Sequence, residues 1–244
     1  MTIGWVTALL DSPPETAEAS ERFWLALTGS QLSPRRGPHE EFASLVAPRV
    51  DPYLKVQVVA ASAPTDLHLD LHTDDVGTLA ARVTRLGGVA GPVTRGYVVC
   101  TSPGGLTFCL VDHEARRRTP PFEGPAGRSL VDQVCLDIPP RRFDVECAFW
   151  SALTGWPLVG TGDQEFRRLD RPDSIPFAVL LQRLDDDRPT VTAHLDLASE
   201  DRDAESSRHA ALGATVVERR AEWTVLRDPA GRTYCTTDRP TGRF

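Results

Sequence analysis

The sequence predicts an α+β protein made of four βαβββ units, paired two by two into tandem domains with mixed sheets. Three observations lead there: a repeat of fixed offset, a polar proline-rich stretch between the copies, and a strand–helix–strand rhythm that runs twice within each copy. The repeat comes first, because periodicity decides the architecture. Phe23-Trp24 returns as Phe149-Trp150, an offset of 126 residues (149 − 23). At that same offset Ala26-Leu27-Thr28-Gly29 returns as Ala152-Leu153-Thr154-Gly155, and His68-Leu69-Asp70-Leu71 as His194-Leu195-Asp196-Leu197. Leu86-Gly87, Pro103, Gly105 and Cys109 match Leu212-Gly213, Pro229, Gly231 and Cys235. Residues 113–128 are polar, basic and proline-rich, as a linker is. The expected domains are 1–115 and 126–244, with a linker at 116–125.

Each copy opens on a short apolar strand (5–10, 131–138) and continues into a helix (14–28, 141–154). In the first helix Ala17, Phe23, Trp24 and Leu27 leave the glutamates and Arg22 on the other face. Gly29 and Gly155 stand where a left-handed cap belongs. Short strands follow at 42–46 and 53–59, and again at 166–169 and 177–184. The rhythm then restarts with the alternating strands 68–72 and 194–198 and the helices 77–86 and 203–212. Strands around Val98 and at 107–111 flank a turn at Ser102-Pro103-Gly104-Gly105. Strands 223–227 and 233–236 flank its counterpart, Asp228-Pro229-Ala230-Gly231.

Composition excludes several function classes. The 244 residues are 41% hydrophobic and 25% charged, the balance of a globular chain, and the net charge of −7 gives no basic nucleic-acid footprint. The one basic run, Arg116-Arg117-Arg118, falls in the linker. No apolar stretch is long enough for a membrane span, and the first residues lack the pattern of a signal peptide. Five cysteines, an odd number without a CxxC pair, fit neither a disulfide framework nor a structural zinc site, so a reducing cytoplasm is expected. There is no P-loop, dinucleotide fingerprint or GxSxG elbow.

The Phe-Trp-x-Ala-Leu-Thr-Gly helix ends, the His-Leu-Asp-Leu strands and the Asp-Pro-x-Gly turn together resemble the vicinal oxygen chelate superfamily: glyoxalase I, bleomycin-resistance proteins, fosfomycin-inactivating enzymes and extradiol dioxygenases. Bacterial tandem glyoxalase-like domain proteins are the nearest likeness. The first copy departs from the pattern in having Ser102 where the turn usually has Asp. The resemblance implies cupped sheets whose concave face holds a small molecule, usually with one divalent metal. The ligand positions it implies are Thr7, Gln57, His68 and Cys109 in the first copy, and Gln133, Gln182, His194 and Cys235 in the second. Gln57 and Gln182 lie 125 residues apart (182 − 57), one short of the repeat. None of these positions carries a carboxylate, a poor set for hard ions. The expected cofactor is therefore none, or one divalent metal in the second domain held by His194, Gln133, Gln182 and Cys235.

Two functions follow. One is an enzyme of the lyase, isomerase or dioxygenase type, with His194 and His68 as catalytic residues. The other is a metal-independent small-molecule binding or sequestration protein of the drug-resistance type. Gln133, Gln182, Gln57, Trp223, Tyr97, Cys235 and Cys109 are candidate substrate contacts in either case. A third reading makes the first copy a scaffold, since Thr7 and Ser102 depart from the pattern there. The expected partner is a small-molecule ligand, without nucleic acid or membrane, and the chain is a monomer or homodimer. Residue by residue, alternatives stay open. Asp70 and Asp196 share a strand face with the histidines and either orient an imidazole or meet a turn donor. Cys109 and Cys235 are nucleophiles or small buried fillers. Tyr97 and Trp223 are cup walls or core, and His39 and His72 are expected to be exposed.

Overall fold

The computed structural model describes residues 3–241. Its elements run β1 (Trp5–Ser12), α1 (Pro14–Thr28), β2 (Gln31–Leu32), β3 (Phe42–Val46), β4 (Leu54–Val58), β5 (Asp66–His72), α2 (Val76–Arg85), β6 (Val89–Ala90), β7 (Tyr97–Thr101) and β8 (Thr107–Val111). Then come β9 (Phe122–Gly124), β10 (Gly127–Ile138), α3 (Phe143–Thr154), β11 (Leu158–Gly160), β12 (Phe166–Leu169), β13 (Ala178–Arg183), β14 (Thr192–Ser199), α4 (Arg202–Ala211), β15 (Thr215–Arg219), β16 (Trp223–Arg227) and β17 (Thr233–Thr237). One sheet has the order β2-β3-β4-β1-β5-β8-β7-β6 and the other β11-β12-β13-β10-β14-β17-β16-β15. Both are mixed: β5 pairs β8, and β14 pairs β17, in parallel, while the hairpins are antiparallel. This is the expected α+β architecture of two domains.

The helices begin and stop where local chemistry dictates. Pro14 opens α1 with its preset φ, and Gly29, at φ 65°, closes it by sending its N–H to Leu25. Gly155 closes α3 in the same way at φ 76°. The later helices are capped instead by carboxylates: Asp75 accepts the Thr78 N–H and Asp201 the Ala204 N–H, both at 2.9 Å. The linker contains an element the sequence does not announce, β9, which pairs with the start of β10.

Two compact units emerge, and each mixes the copies. The first takes the chain up to Ala8, then His68–Arg116 and Val134–Ala193; the second takes Leu9–Leu67, Arg117–Gln133 and the chain from His194 onward. In the first unit α3 packs on β8, with Phe149 and Trp150 at 6.2 and 5.1 Å from Phe108 between ring centroids. In the second, α1 packs on β17, with Phe23 and Trp24 at 5.9 and 5.4 Å from Tyr234. The recurrent Phe-Trp pair is thus core packing, and its partner strand comes from the other copy.

The two units satisfy one buried requirement in opposite ways. A buried indole N–H needs an acceptor, and so do the amides of the turn before the last strand. In the second unit Asp228 serves both, accepting from Trp24 at 2.8 Å and from the Ala230 and Arg232 amides at 2.9 Å. Arg232 balances its charge and donates also to Ser20, Ser12 and the carbonyls of Asp11 and Asp66. In the first unit the turn carries Ser102, and the carboxylate comes from the helix. Glu146 stands in place of Ser20, accepts from Trp150 at 2.8 Å and from the Gly104 amide at 2.5 Å, and Leu106 replaces Arg232. That exchange is the physical reason for the departure at Ser102.

One expectation fails here. His39 is exposed, but His72 is buried, because its ring is held between the Thr7 hydroxyl and the His113 carbonyl, each at 2.8 Å.

Candidate functional site

In the second unit β14 places His194 and Asp196 two residues apart, hence on one face. Its parallel neighbour β17 sets Cys235 opposite Asp196. An imidazole nitrogen, a carboxylate oxygen and the thiol sulfur all lie within 4.8 Å of one another, and all three residues are buried. His194 Nε2 is 3.3 Å from Asp196 Oδ1. From β10, the Gln133 amide donates to Asp196 Oδ2 at 2.5 Å. Beside Gln133, Asp132 is paired with Arg239 by contacts of 3.0 and 2.6 Å.

The charges of this group are set by competition. Burial raises the Asp196 carboxyl, but the His194 charge and hydrogen bond, Arg239 and the Gln133 amide together hold it below its ordinary value. Asp132 goes the other way: burial outweighs Arg239 and lifts it to about 6. Asp196 is therefore an anion across the neutral range. On β16, Val225 faces Cys235 and Trp223 lies two residues further along. Arg220 stacks over Trp223 at 5.8 Å.

The first unit holds the counterpart. Cys109 on β8 sits opposite Asp70 on β5, and His68, Asp70 and Cys109 again bring their donor atoms within 4.8 Å. His68 and Cys109 are half-buried here. On β7, Val99 faces Cys109 and Tyr97 lies two residues away; they are 48% and 42% exposed, an apolar surface beside the polar group. The setting differs, since Thr7, at the position of Gln133, is turned to His72.

The sequence-based site residues therefore divide. His194, Cys235 and Gln133 come together in the second unit, and His68 and Cys109 in the first. Gln182, on β13 opposite Phe166, accepts from the Cys135 thiol within the first unit. Gln57, on β4 opposite Phe42, belongs to the second unit. Asp196 and Asp70 enter the donor groups, a role the strand alternation hinted at and the parallel register completes. Nothing in the sequence pairs Asp132 with Arg239. A cleft in the second unit, lined by Leu27, Tyr53, Phe122, Val131 and Leu197 among others, has no residue of the triad on its wall.

Where a family of this fold uses a metal, the donor set decides whether these residues fit. One imidazole, one carboxylate and one thiol match a divalent ion of intermediate softness, such as zinc, cobalt, nickel or iron(II), better than magnesium. Three protein donors also leave positions open for a ligand.

Comparison with known proteins agrees with the fold. The profile of the glyoxalase-like domain matches residues 8–111 and again 133–237. No curated protein matches the chain. Among solved structures, a manganese(II)-bound glyoxalase from Novosphingobium aromaticivorans is 18% identical, covers 95% of this chain and 80% of its own, and has a TM-score of 0.64. A mutant of 4-hydroxymandelate synthase from Streptomyces coelicolor is 16% identical over 99% and 94%, with a TM-score of 0.60. A variant of homoprotocatechuate 2,3-dioxygenase from Brevibacterium fuscum is 13% identical over 96% and 70%, at 0.65. At such identities these structures speak to the fold. Among the described residues no helix is long and apolar enough to cross a membrane. The chain belongs to the glyoxalase-like domain family, in two copies.

Proposed function

We propose that the second copy is a metal-assisted site for a small oxygen-rich or aromatic metabolite, with His194, Asp196 and Cys235 as the protein ligands of one divalent ion. The observation that carries the reading is the convergence of three different donors within 4.8 Å on two adjacent parallel strands. When bound, the ion supplies Lewis-acid polarisation of the ligand's oxygens. The chain's own residues do the rest. Gln133 donates to the Asp196 carboxylate and holds it in place, and the Arg239 charge favours the Asp196 anion. His194, freed from Asp196, offers a ring nitrogen, while Trp223 and Val225 supply the flat apolar wall on which an aromatic ligand rests. The domains proposed for the covalent copies are 1–115 and 126–244, and the compartment proposed is the cytoplasm, in keeping with five free thiols.

A second reading, the metal-free binder, is favoured by the closed hydrogen-bond network of Gln133, Asp196 and His194, which satisfies the carboxylate without an ion. The test is metal content by inductively coupled plasma mass spectrometry after purification without chelator or nickel resin, and after loading with zinc, iron(II), nickel or manganese under reducing conditions. Near-stoichiometric metal that a His194→Ala variant loses supports the site. Content far below stoichiometry for every ion overturns it and leaves the binder.

A further inference from the structure

We infer that the loop at 33–41 and the β3–β4 hairpin form a separate site for a small oxyanion, a carboxylate or phosphate group, held by Arg36, Lys55 and the Ser44 hydroxyl. Ser44 on β3 and Lys55 on β4 stand directly opposite each other in an antiparallel pair, so their side chains share one face. Arg36 reaches the same hydroxyl from the loop before β3, donating from Nη2 to Ser44 Oγ at 3.0 Å. None of the three belongs to either His-Asp-Cys group.

The loop is built to hold that guanidinium. Arg36 and Phe42 exchange backbone bonds at 2.8 and 3.0 Å. Ser33 closes the base: its N–H donates to the Ser44 carbonyl and its hydroxyl accepts the Ser44 N–H, each at 2.9 Å. The two neighbouring arginines then serve different ends. Arg35 is neutralised by Glu21 through contacts of 2.6 and 2.9 Å. Arg36 has no carboxylate partner among the described residues and spends one of its five N–H donors on a hydroxyl. Ser44 is 1% exposed, and among the described residues its own proton finds no acceptor. A buried O–H without an acceptor, flanked by two cations, is completed by an oxyanion, which takes the hydroxyl proton and matches the planar fork of Arg36.

The internal repeat points the same way. In the second copy Phe166 faces Gln182 as Phe42 faces Gln57, and two residues on, Arg168 faces Leu180 where Ser44 faces Lys55. Each copy thus places a cation on this rung, carried by opposite strands. A charge that changes strand instead of vanishing marks a need for charge, not for one side chain's packing. Lys55 is the only lysine among the 27 basic residues, and it is half-buried here. Its compact ammonium complements the bidentate grip of Arg36. Phe42, two residues before Ser44 and so on the same face, gives the apolar part of a ligand a surface.

A single lysine makes Lys55 its own reporter. The experiment follows its acetylation by an N-hydroxysuccinimide ester in the whole protein, using peptide mass spectrometry. Inorganic phosphate or benzoate is titrated in, at an ionic strength held constant with sodium chloride, and the N-terminal amine is the internal control. The expected result is saturable protection of Lys55 without protection of the amino terminus. In an Arg36→Gln variant, shown to be folded by circular dichroism, the half-protecting concentration rises about tenfold or more, the worth of one charge-assisted contact. Ser44→Ala, which keeps every backbone bond of the loop, shifts it in the same direction. Protection by phosphate alone identifies a phosphate ligand and by benzoate alone a carboxylate; either supports the site. Absence of saturable protection by both anions overturns it, and so does protection that folded Arg36→Gln retains at an unchanged concentration. Either result leaves the metal reading of the second copy intact, since no residue is shared.

Discussion

Replacing Arg232 by Leu, the residue that occupies its place in the other copy at position 106, tests the account of the buried carboxylates. Arg232 is 5% exposed and fully engaged, with Asp228 at 2.5 Å and four further acceptors. Its loss leaves the Asp228 charge buried without a counter-ion, a change that costs about 3–5 kcal/mol. Burial of the leucine returns part of that, so a net loss of about 3 kcal/mol is expected. With a urea m-value of roughly 2–3 kcal/mol/M, the unfolding midpoint falls by about 1–1.5 M. The decisive variant then transplants the first unit's solution: Ser20→Glu, Asp228→Ser and Arg232→Leu together. The new carboxylate takes the place of Glu146, accepts from Trp24 and caps the turn, and no cation is needed. More than half of the lost stability is expected to return. Recovery stays partial because the Asp11 and Asp66 carbonyls lose a donor, at about 1 kcal/mol each. The measurement is urea denaturation followed by far-ultraviolet circular dichroism at neutral pH. A triple variant no more stable than Arg232→Leu alone would refute the reasoning.

Three further outcomes are expected. Burial raises Glu205 but its bonds to Arg208 and His209 win and hold it at about 2, against an ordinary 4.5. Its stabilisation, on the order of 3 kcal/mol, is thus present above pH 4.5 and lost as pH falls through 2, and in acid titrations followed by tryptophan fluorescence Glu205→Gln should flatten that limb. Asp132 has the opposite sign: lifted to about 6 by burial, it contributes stability that is present below pH 3.8 and lost as pH rises through 6. Asp132→Asn removes that slope from midpoints measured across the range. Gly104→Ala drives a methyl group into Val191 and towards Glu146, which should cost about 1–3 kcal/mol by thermal or urea unfolding. Unchanged stability there means the turn yields freely.

Much of the fold was legible because it rests on local rules repeated at a fixed offset. The glycine caps, the Phe-Trp helix faces and the alternating His-Leu-Asp-Leu strands each announce an element and its buried side. The short strands β2, β6, β11 and β15 were not legible, since they are held by pairing rather than by any pattern of their own. His72 was misread because its surroundings in the chain are polar, while the groups that bury it, Thr7 and His113, come from 65 and 41 residues away. At the candidate site the histidines and cysteines could be read from the family pattern, and the aspartates only halfway. Alternation puts Asp196 beside His194, but it takes the parallel register to bring Cys235 opposite, and a β10 side chain to hold the carboxylate. Gln182 illustrates the limit from the other side: a residue chosen by position turned out to bond Cys135.

The mixed membership of the two compact units has a consequence for how such a chain arises. Each unit completes the opening half of one copy with the closing half of the other, so neither copy contains the aromatic partner of its own first helix. A gene encoding a single copy would yield a polypeptide that finds that partner only on a twin. The fused chain then reads as an ancestral homodimer joined end to end, with the linker replacing the diffusional encounter of two products. Fusion also releases the halves from identity, and the exchange of Asp228 and Arg232 for Glu146 and Leu106 is the kind of divergence that a symmetric assembly of identical chains could not have accumulated on one side alone.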